Sequence, residues 1–179
     1  MNVKPDTYLS GNSINWQNWE SKLTPITCQF CCETHGKIYD IGILVIPSII
    51  SHFNCKCEMK PMRTIKAGTV TKNGPTGADA QLSYLHKLPE NYISKADAIK
   101  SGWIPKKGNL SDVLPKQIIG GDVYKNRNQK LPYAPNRTWK EADFDYTEGY
   151  RNFKRILFSN DGLLFATFDH YHTFYEILP

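Results

Sequence analysis

Between Arg137 and Asp145 polar and apolar positions alternate with a period of two, which predicts a strand. One face carries Arg137, Trp139, Glu141, Asp143 and Asp145; the other carries Thr138, Lys140, Ala142 and Phe144. The charged face is a poor candidate for core, so it is expected to be solvated or to line a site. Further strands are predicted at 118–124, 155–159, 163–169 and 171–177, with Asn160-Asp161-Gly162 as a tight hairpin turn. Upstream the period changes. Residues 80–86 read as a short helix ending before Pro89. Ser94 can cap a second helix, with Asp97 in its first turn and Gly102 as its stop. Asn109 to Pro115 repeats that logic in one turn. Short helices followed by a run of antiparallel strands give the α+β class, with helices segregated to one side of a sheet.

The 179 residues allow one domain, or one of about 100 residues plus a smaller one. Residues 64–80 hold three glycines, a proline and several threonines with no apolar period, and are expected to be a linker. The organisation expected is therefore a segment 1–63, a linker 64–80 and a domain 81–179. Net charge is +5, with 14 Lys/Arg against 11 Asp/Glu in residues 84–179 and 8 against 6 before them. So mild an excess permits a polyanionic substrate without demanding one. The N-terminus lacks the apolar core of a signal peptide, and the most apolar run, 38–50, is interrupted by Asp40, Gly42 and Pro47. A soluble chain without a secretion signal of its own, not bound to a membrane, is the expectation.

All five cysteines fall between Cys28 and Cys57. Cys28-x-x-Cys31 and Cys55-x-Cys57 can supply four thiolates to a structural zinc ion, with Cys32, His35 and His52 as spare ligands. Two disulfides with one thiol left over, or reduced buried cysteines, fit the same positions. The odd count argues against a pure disulfide scaffold, and the small size of the region argues for some staple. The run Thr27-Cys28-x-x-Cys31, Gly36-Lys37-x-Tyr39, Pro47 and His52-x-Asn54-Cys55-Lys56-Cys57 resembles the C-terminal cysteine motif of phage minor head (head morphogenesis) proteins. It departs from that motif at Phe53, where the family has proline, and at Lys56, where it has arginine. The resemblance implies a capsid-associated or pre-toxin segment belonging to a longer polypeptide or a virion.

In the second half Glu141, Arg151, Arg155 and His170 come from strands or their connections and can converge on one sheet face. A carboxylate, a histidine and cations suit cleavage of a phosphodiester without a metal, because base, acid and charge stabilisation are all present. Bland readings stand beside this one. A lone Glu on a strand is usually surface, a histidine near a terminus is usually structural, and the arginines can be ion-pair partners of Asp143 and Asp145. Asp169 with His170 and His172 is a further candidate, as a metal-nuclease site.

Residues 84–177 resemble the barnase family of bacterial guanyl ribonucleases. The motifs are His86-Lys87-Leu88-Pro89-Glu90-Asn91-Tyr92-Ile93-Ser94-Lys95, Gly102-Trp103, Lys107-Gly108-Asn109-Leu110, Ile119-Gly120-Gly121-Asp122, Asn126-Arg127, Lys130-Leu131-Pro132, Arg137-Thr138-Trp139-x-Glu141-Ala142-Asp143, Arg151-Asn152, Arg155-Ile156-Leu157 and Asp169-His170-Tyr171-x-Thr173-Phe174. The resemblance implies the microbial ribonuclease fold and endonucleolytic cleavage of single-stranded RNA through a 2′,3′-cyclic phosphate, with no catalytic cofactor. It implies Glu141 as general base and His170 as general acid, with Lys95, Arg151 and Arg155 around the scissile phosphate. Asn126, Arg127 and Asn128 would form the guanine-recognition loop, flanked by Tyr124 and Lys125. Tyr171 would stack on the base, and Asp122 and Asn109 would brace the site. The family has glutamate where this chain has Asn128, and Asn offers one acceptor oxygen and no charge, so weaker guanine preference is expected. A toxin role follows by the same resemblance, with a barstar-like acidic immunity protein as partner, a monomeric state, and secretion or phage-like delivery into the cytoplasm of a target cell. The rival class is a nuclease fold without catalysis, serving as an RNA-binding or structural module.

Overall fold

The computed structural model describes residues 9–179, the side chain of Ser48 excepted. Strand β1 (Leu9–Glu20) is followed by helix α1 (Gln29–Thr34), β2 (Ile38–Asp40), the single turn α2 (Pro47–Ile50) and β3 (Glu58–Lys66). Then come α3 (Ala78–Leu85), β4 (Tyr92–Ile93), α4 (Lys95–Lys100) and α5 (Leu110–Val113). Strands β5 (Ile118–Tyr124), β6 (Trp139–Asp143), β7 (Arg155–Ser159), β8 (Leu164–Thr167) and β9 (Tyr175–Leu178) complete the chain. Among the described residues, nine strands form one sheet in the order β2-β1-β3-β9-β8-β7-β6-β5-β4. No helix among the described residues is long and apolar enough to cross a membrane.

The helices expected from capping signals are present. Ser94 Oγ accepts from Asp97 N–H at 3.1 Å, and Gly102 takes φ +100° just beyond α4. α3 ends on His86 in the left-handed conformation. The hairpin turn forms as read, with Ser159 N–H on Leu163 O at 2.9 Å.

Three expectations are corrected. The sheet is not wholly antiparallel: β4 runs parallel to β5, and β3 parallel to β9. Residues 64–80 are not a linker. Thr64, Ile65, Ala67, Val70, Ala78 and Asp79 are buried. The Asp79 carboxylate accepts from Gly68 N–H, Val70 N–H and the Thr71 hydroxyl at 2.7–2.9 Å. Turn residues without an apolar period still pack when one buried carboxylate gathers their backbone donors. Finally, the last two strands are shorter than expected, leaving residues 168–174 as a loop that carries His170 and Tyr171.

Core lies on both faces of the sheet. On one face Ile65, Val70, Ala78, Leu82, Phe144, Ile156, Ala166 and Ile177 pack beneath α3. On the other are Ile38, Met62, Leu131, Trp139, Leu157, Phe165 and Phe174. β3 contributes to both, Ile65 to the first and Met62 to the second, as alternation along a strand requires. The N-terminal strands are thus continuous with the rest of the fold.

Candidate active site

The second face is also the charged one. Register sets Asp122 opposite Glu141, Glu141 opposite Leu157, and Asp143 opposite Arg155. Trp139, expected beside charge at a site, is instead 4% exposed and part of the core, while Glu141 and Asp143 are 6% and 1% exposed. Buried charge must be paired, and here it is. Lys95, the first residue of α4, donates Nζ to Glu141 Oε1 at 2.5 Å, and its backbone N–H bonds the Asp122 carboxylate at 3.0 Å. The Tyr171 hydroxyl donates to Glu141 Oε2. Arg151 grips Asp143 with two bonds, at 2.6 and 2.7 Å, and Arg155 Nε lies 2.9 Å from the same carboxylate. Asp145 pairs with Lys154 at 3.0 Å, not with an arginine.

Two glycines let this constellation form. A Cβ at Gly120 would lie 2.5 Å from the Tyr92 ring and 2.8 Å from Ala142. Tyr92 crosses there to donate to Asp143 O at 2.7 Å. Gly121, at φ +90°, accommodates the register shift that turns Asp122 toward Lys95.

His170 sits on the loop after β8, exposed, with its ring 4.7 Å from that of Tyr171 and 5.6 Å from Phe153. His170 and Tyr171 both hold left-handed backbone, at φ 58° and 71°. Non-glycine residues there are strained by roughly 1–3 kcal/mol each. The loop is fixed by Asp169, which accepts from the Thr167 hydroxyl and from the His172 and Thr173 N–H groups. It is also held by Lys130 Nζ, which donates to Tyr171 O and His172 O at 3.4 and 3.3 Å. Lys130 was quoted in the Lys130-Leu131-Pro132 motif, but spacing alone gave it no role.

The electrostatics separate the two titrating groups. Burial alone would raise the Glu141 pKa. Bonds from Lys95 and Tyr171 and the charges of Lys95 and Arg151 outweigh burial, holding it below the ordinary carboxylate value. Burial lowers the His170 pKa, Arg155 and Arg151 lower it further, and Glu141 partly opposes them. Glu141, His170, Arg151 and Arg155 thus share one electrostatic field.

The residues expected to form a recognition loop divide. Asn126, at φ 44°, spends its side chain on the loop, accepting from Leu131 N–H at 3.1 Å and donating to Leu131 O at 2.9 Å. Lys125, Arg127 and Asn128 stand exposed. The Tyr124 ring stacks on Tyr171 with centroids 5.0 Å apart, and burial beside Glu141 pushes its pKa up to about 12. Asn109 braces a neighbouring loop, accepting from Ile104 N–H at 2.8 Å.

A family model described as ribonuclease matches residues 76–178. This chain belongs to the ribonuclease family. It is 49% identical over 100 residues to the ribonuclease of Heyndrickxia coagulans, an alignment covering 56% of this chain and 91% of that one. The ribonucleases of Bacillus intermedius and Bacillus pumilus are likewise 49% identical over 100 residues, with 61% of each covered. Membership makes the chain an RNA-cleaving hydrolase, and the match spans every residue of the constellation above. β1, β2 and β3 lie outside the matched span.

The cysteines form a second cluster. Cys28 Sγ accepts from Cys31 N–H and Cys55 Sγ from Cys57 N–H, both at 3.4 Å. Cys31 Sγ lies 3.7 Å from Cys55 Sγ and 3.5 Å from His52 Nε2. Cys28, Cys31 and His52 form one group of potential ligands, and Cys31, Cys55 and Cys57 another; Cys32 and His35 are in neither. Among the described residues these are the groupings with metal-ligand spacing, and Asp169, His170 and His172 are not one.

Proposed function

We propose that this chain is a metal-independent endoribonuclease that cleaves single-stranded RNA by internal attack of the ribose 2′-hydroxyl. The observation that carries this reading is the Glu141 carboxylate, buried yet held ionised between Lys95 and Tyr171, in one field with His170. Glu141 takes the proton of the 2′-hydroxyl. The oxygen attacks phosphorus and the 5′-oxygen leaves with a proton from His170, giving a 2′,3′-cyclic phosphate. The groups then exchange roles: His170 takes a proton from water, and Glu141 returns one to the 2′-oxygen as the ring opens. Only RNA carries the internal nucleophile.

Charge on the phosphoryl oxygens is met by fixed cations. Asp143 neutralises one of the two arginines, so the Arg151–Asp143–Arg155 triad carries net +1. Arg151, with its side chain 22% exposed, faces the cleft. Arg155, 4% exposed at its side chain, acts as a positioning residue through Asp143. The Tyr171 hydroxyl stands where a substrate hydroxyl would meet Glu141. Tyr124 already covers its ring, so a base that stacks on Tyr171 displaces one or both. With Asn128 in the recognition loop, guanine preference is weaker than where a carboxylate stands.

The cysteine cluster reads as a structural zinc site. Tetrahedral Zn–S bonds of 2.3 Å place sulfurs about 3.8 Å apart, which matches Cys31 and Cys55, whereas a disulfide needs about 2.05 Å. Cys31, Cys55 and Cys57 supply three ligands, and Cys28 or His52, which group with Cys31, the fourth. By its resemblances the chain is a toxin domain behind a phage-head-like segment, paired with an acidic immunity protein. The deciding experiment is incubation of the purified, zinc-replete chain with a defined RNA in buffer free of magnesium and added metal, with products read by mass spectrometry. Fragments ending in 2′,3′-cyclic phosphate are expected, and intact RNA would reject the reading.

A further inference from the structure

Beyond Trp139 the charged face opens into a cavity of about 910 Å³ between the N-terminal strands and the recognition loop. That is the upper end of ligand-sized pockets, roughly 300–1,000 Å³. Trp16, Lys37 and Tyr39 line it from the N-terminal side, and Lys125, Tyr133 and Arg137 from the nuclease side. Tyr124 also lines it and stacks on Tyr171, which bonds Glu141, so the groove begins one ring away from the catalytic candidates.

Its chemistry is that of a nucleic-acid channel. Arg137 is paired with Asp161 at 2.8 Å. Among the described residues, Lys37 and Lys125 have no carboxylate within ion-pair distance. Asp40 is the one carboxylate of the lining, and its Oδ1 is turned back onto Gly42 N–H at 2.7 Å. Tyr133 is 87% exposed, a ring presented to solvent at the groove wall. Single-stranded nucleic acid is held by this combination, cations for the backbone and aromatic faces for the bases.

We propose that this groove binds the nucleotides of the same RNA strand that flank the cleaved linkage on the recognition-loop side. β1 and β2 thereby act as a substrate-binding wall added to the family core. The inference rests on the ribonuclease reading.

The test compares the full chain with Lys37→Glu/Tyr133→Ala, Tyr133 being exposed and Lys37 half-buried at the groove wall. Cleavage of a dinucleoside phosphate and of an octanucleotide with the same central linkage is measured. Binding of an uncleavable 2′-O-methyl octanucleotide is followed by fluorescence anisotropy over a salt series. The octanucleotide's advantage in kcat/KM should fall about tenfold, within the range of a lost base stack, and the salt dependence of octanucleotide binding should become shallower. An unchanged advantage and unchanged anisotropy would overturn the proposal. If the wild type cleaves neither substrate, the ribonuclease reading fails instead, and the anisotropy still decides the groove.

Discussion

Tyr171 donates its phenolic proton to the Glu141 carboxylate, so the general-base candidate is already engaged by a hydroxyl before substrate arrives. That bond helps hold the Glu141 pKa down. In Tyr171→Phe the Glu141 pKa should rise, and the acid limb of the kcat/KM profile should move to higher pH. A limb that stays in place would break the link between the two residues.

Glu141→Ala and His170→Ala should each lower kcat by about 10²–10⁴-fold, the range for positioned acid–base groups. Circular dichroism should show the fold retained in both. Wild-type rates in either purified variant would reject the assigned roles.

His170 sets the other limb. Its pKa lies below the ordinary value of 6.5, first through burial and then through Arg155 and Arg151. The acid must be protonated to act, so kcat/KM should decline with rising pH from a midpoint under 6.5. A bound phosphate adds negative charge and favours the imidazolium, so the same limb in kcat should lie at higher pH. Initial rates from pH 4 to 8 give both limbs.

Glu176 is buried on β9, with Oε2 lacking a hydrogen-bond partner among the described residues and a pKa raised by burial. A raised folded-state value means the stabilising form is the protonated one. Its contribution is complete below the ordinary glutamate range, near pH 4.3, and is lost as pH rises through the folded value. Glu176→Gln should therefore stabilise the protein by about 1 kcal/mol at pH 7.5, roughly 2–4 °C in Tm. The gain should vanish near pH 4. Thermal unfolding at both pH values is the check.

Burial opposes ionisation of Cys55, but bonds from Ser51, Cys57 and Cys31 lower its pKa to about 7. Burial raises the pKa of Cys31, the ligand common to both groupings, so a metal there must displace its proton. The purified chain should carry one zinc per molecule by elemental analysis, and Cys31→Ser should abolish it and lower Tm. A disulfide-dependent mass shift in place of zinc would contradict this assignment.

Much of the nuclease half was legible because capping residues, the hairpin turn and the alternation in 137–145 each act locally. Period two gave the shared face of Glu141 and Asp143, and strand proximity the convergence of Glu141, Arg151, Arg155 and His170, whereas Lys95 and Tyr171 came from motif resemblance. Arg151 and Arg155 share Asp143 only because β6 and β7 pair in one register. The Cys31–Cys55 approach was foreshadowed by thiol spacing, and of the spare ligands His52 joins the cluster while Cys32 and His35 do not. What stayed hidden was long-range. Nothing in Met62, Thr64 or Ile65 announces β9, and Asp79 gathering the 68–71 backbone has no local signature. Tyr171 was read as strand because alternating aromatic residues mimic one, whereas His170 and Tyr171 both sit in a loop held by bonds to Asp169, Thr167 and Lys130.

The parallel pairing of Thr64 with Glu176 and of Ile65 with Ile177 has a kinetic consequence. As the chain leaves the ribosome, β3 emerges well before its partner strand, because Thr64 pairs with Glu176. The N-terminal strands stay an unfinished edge until β9 follows, and closing that long loop is a slow step. A protease nicking the exposed Lys72–Asn73 turn would cut the polypeptide but leave the two pieces hydrogen-bonded along this seam.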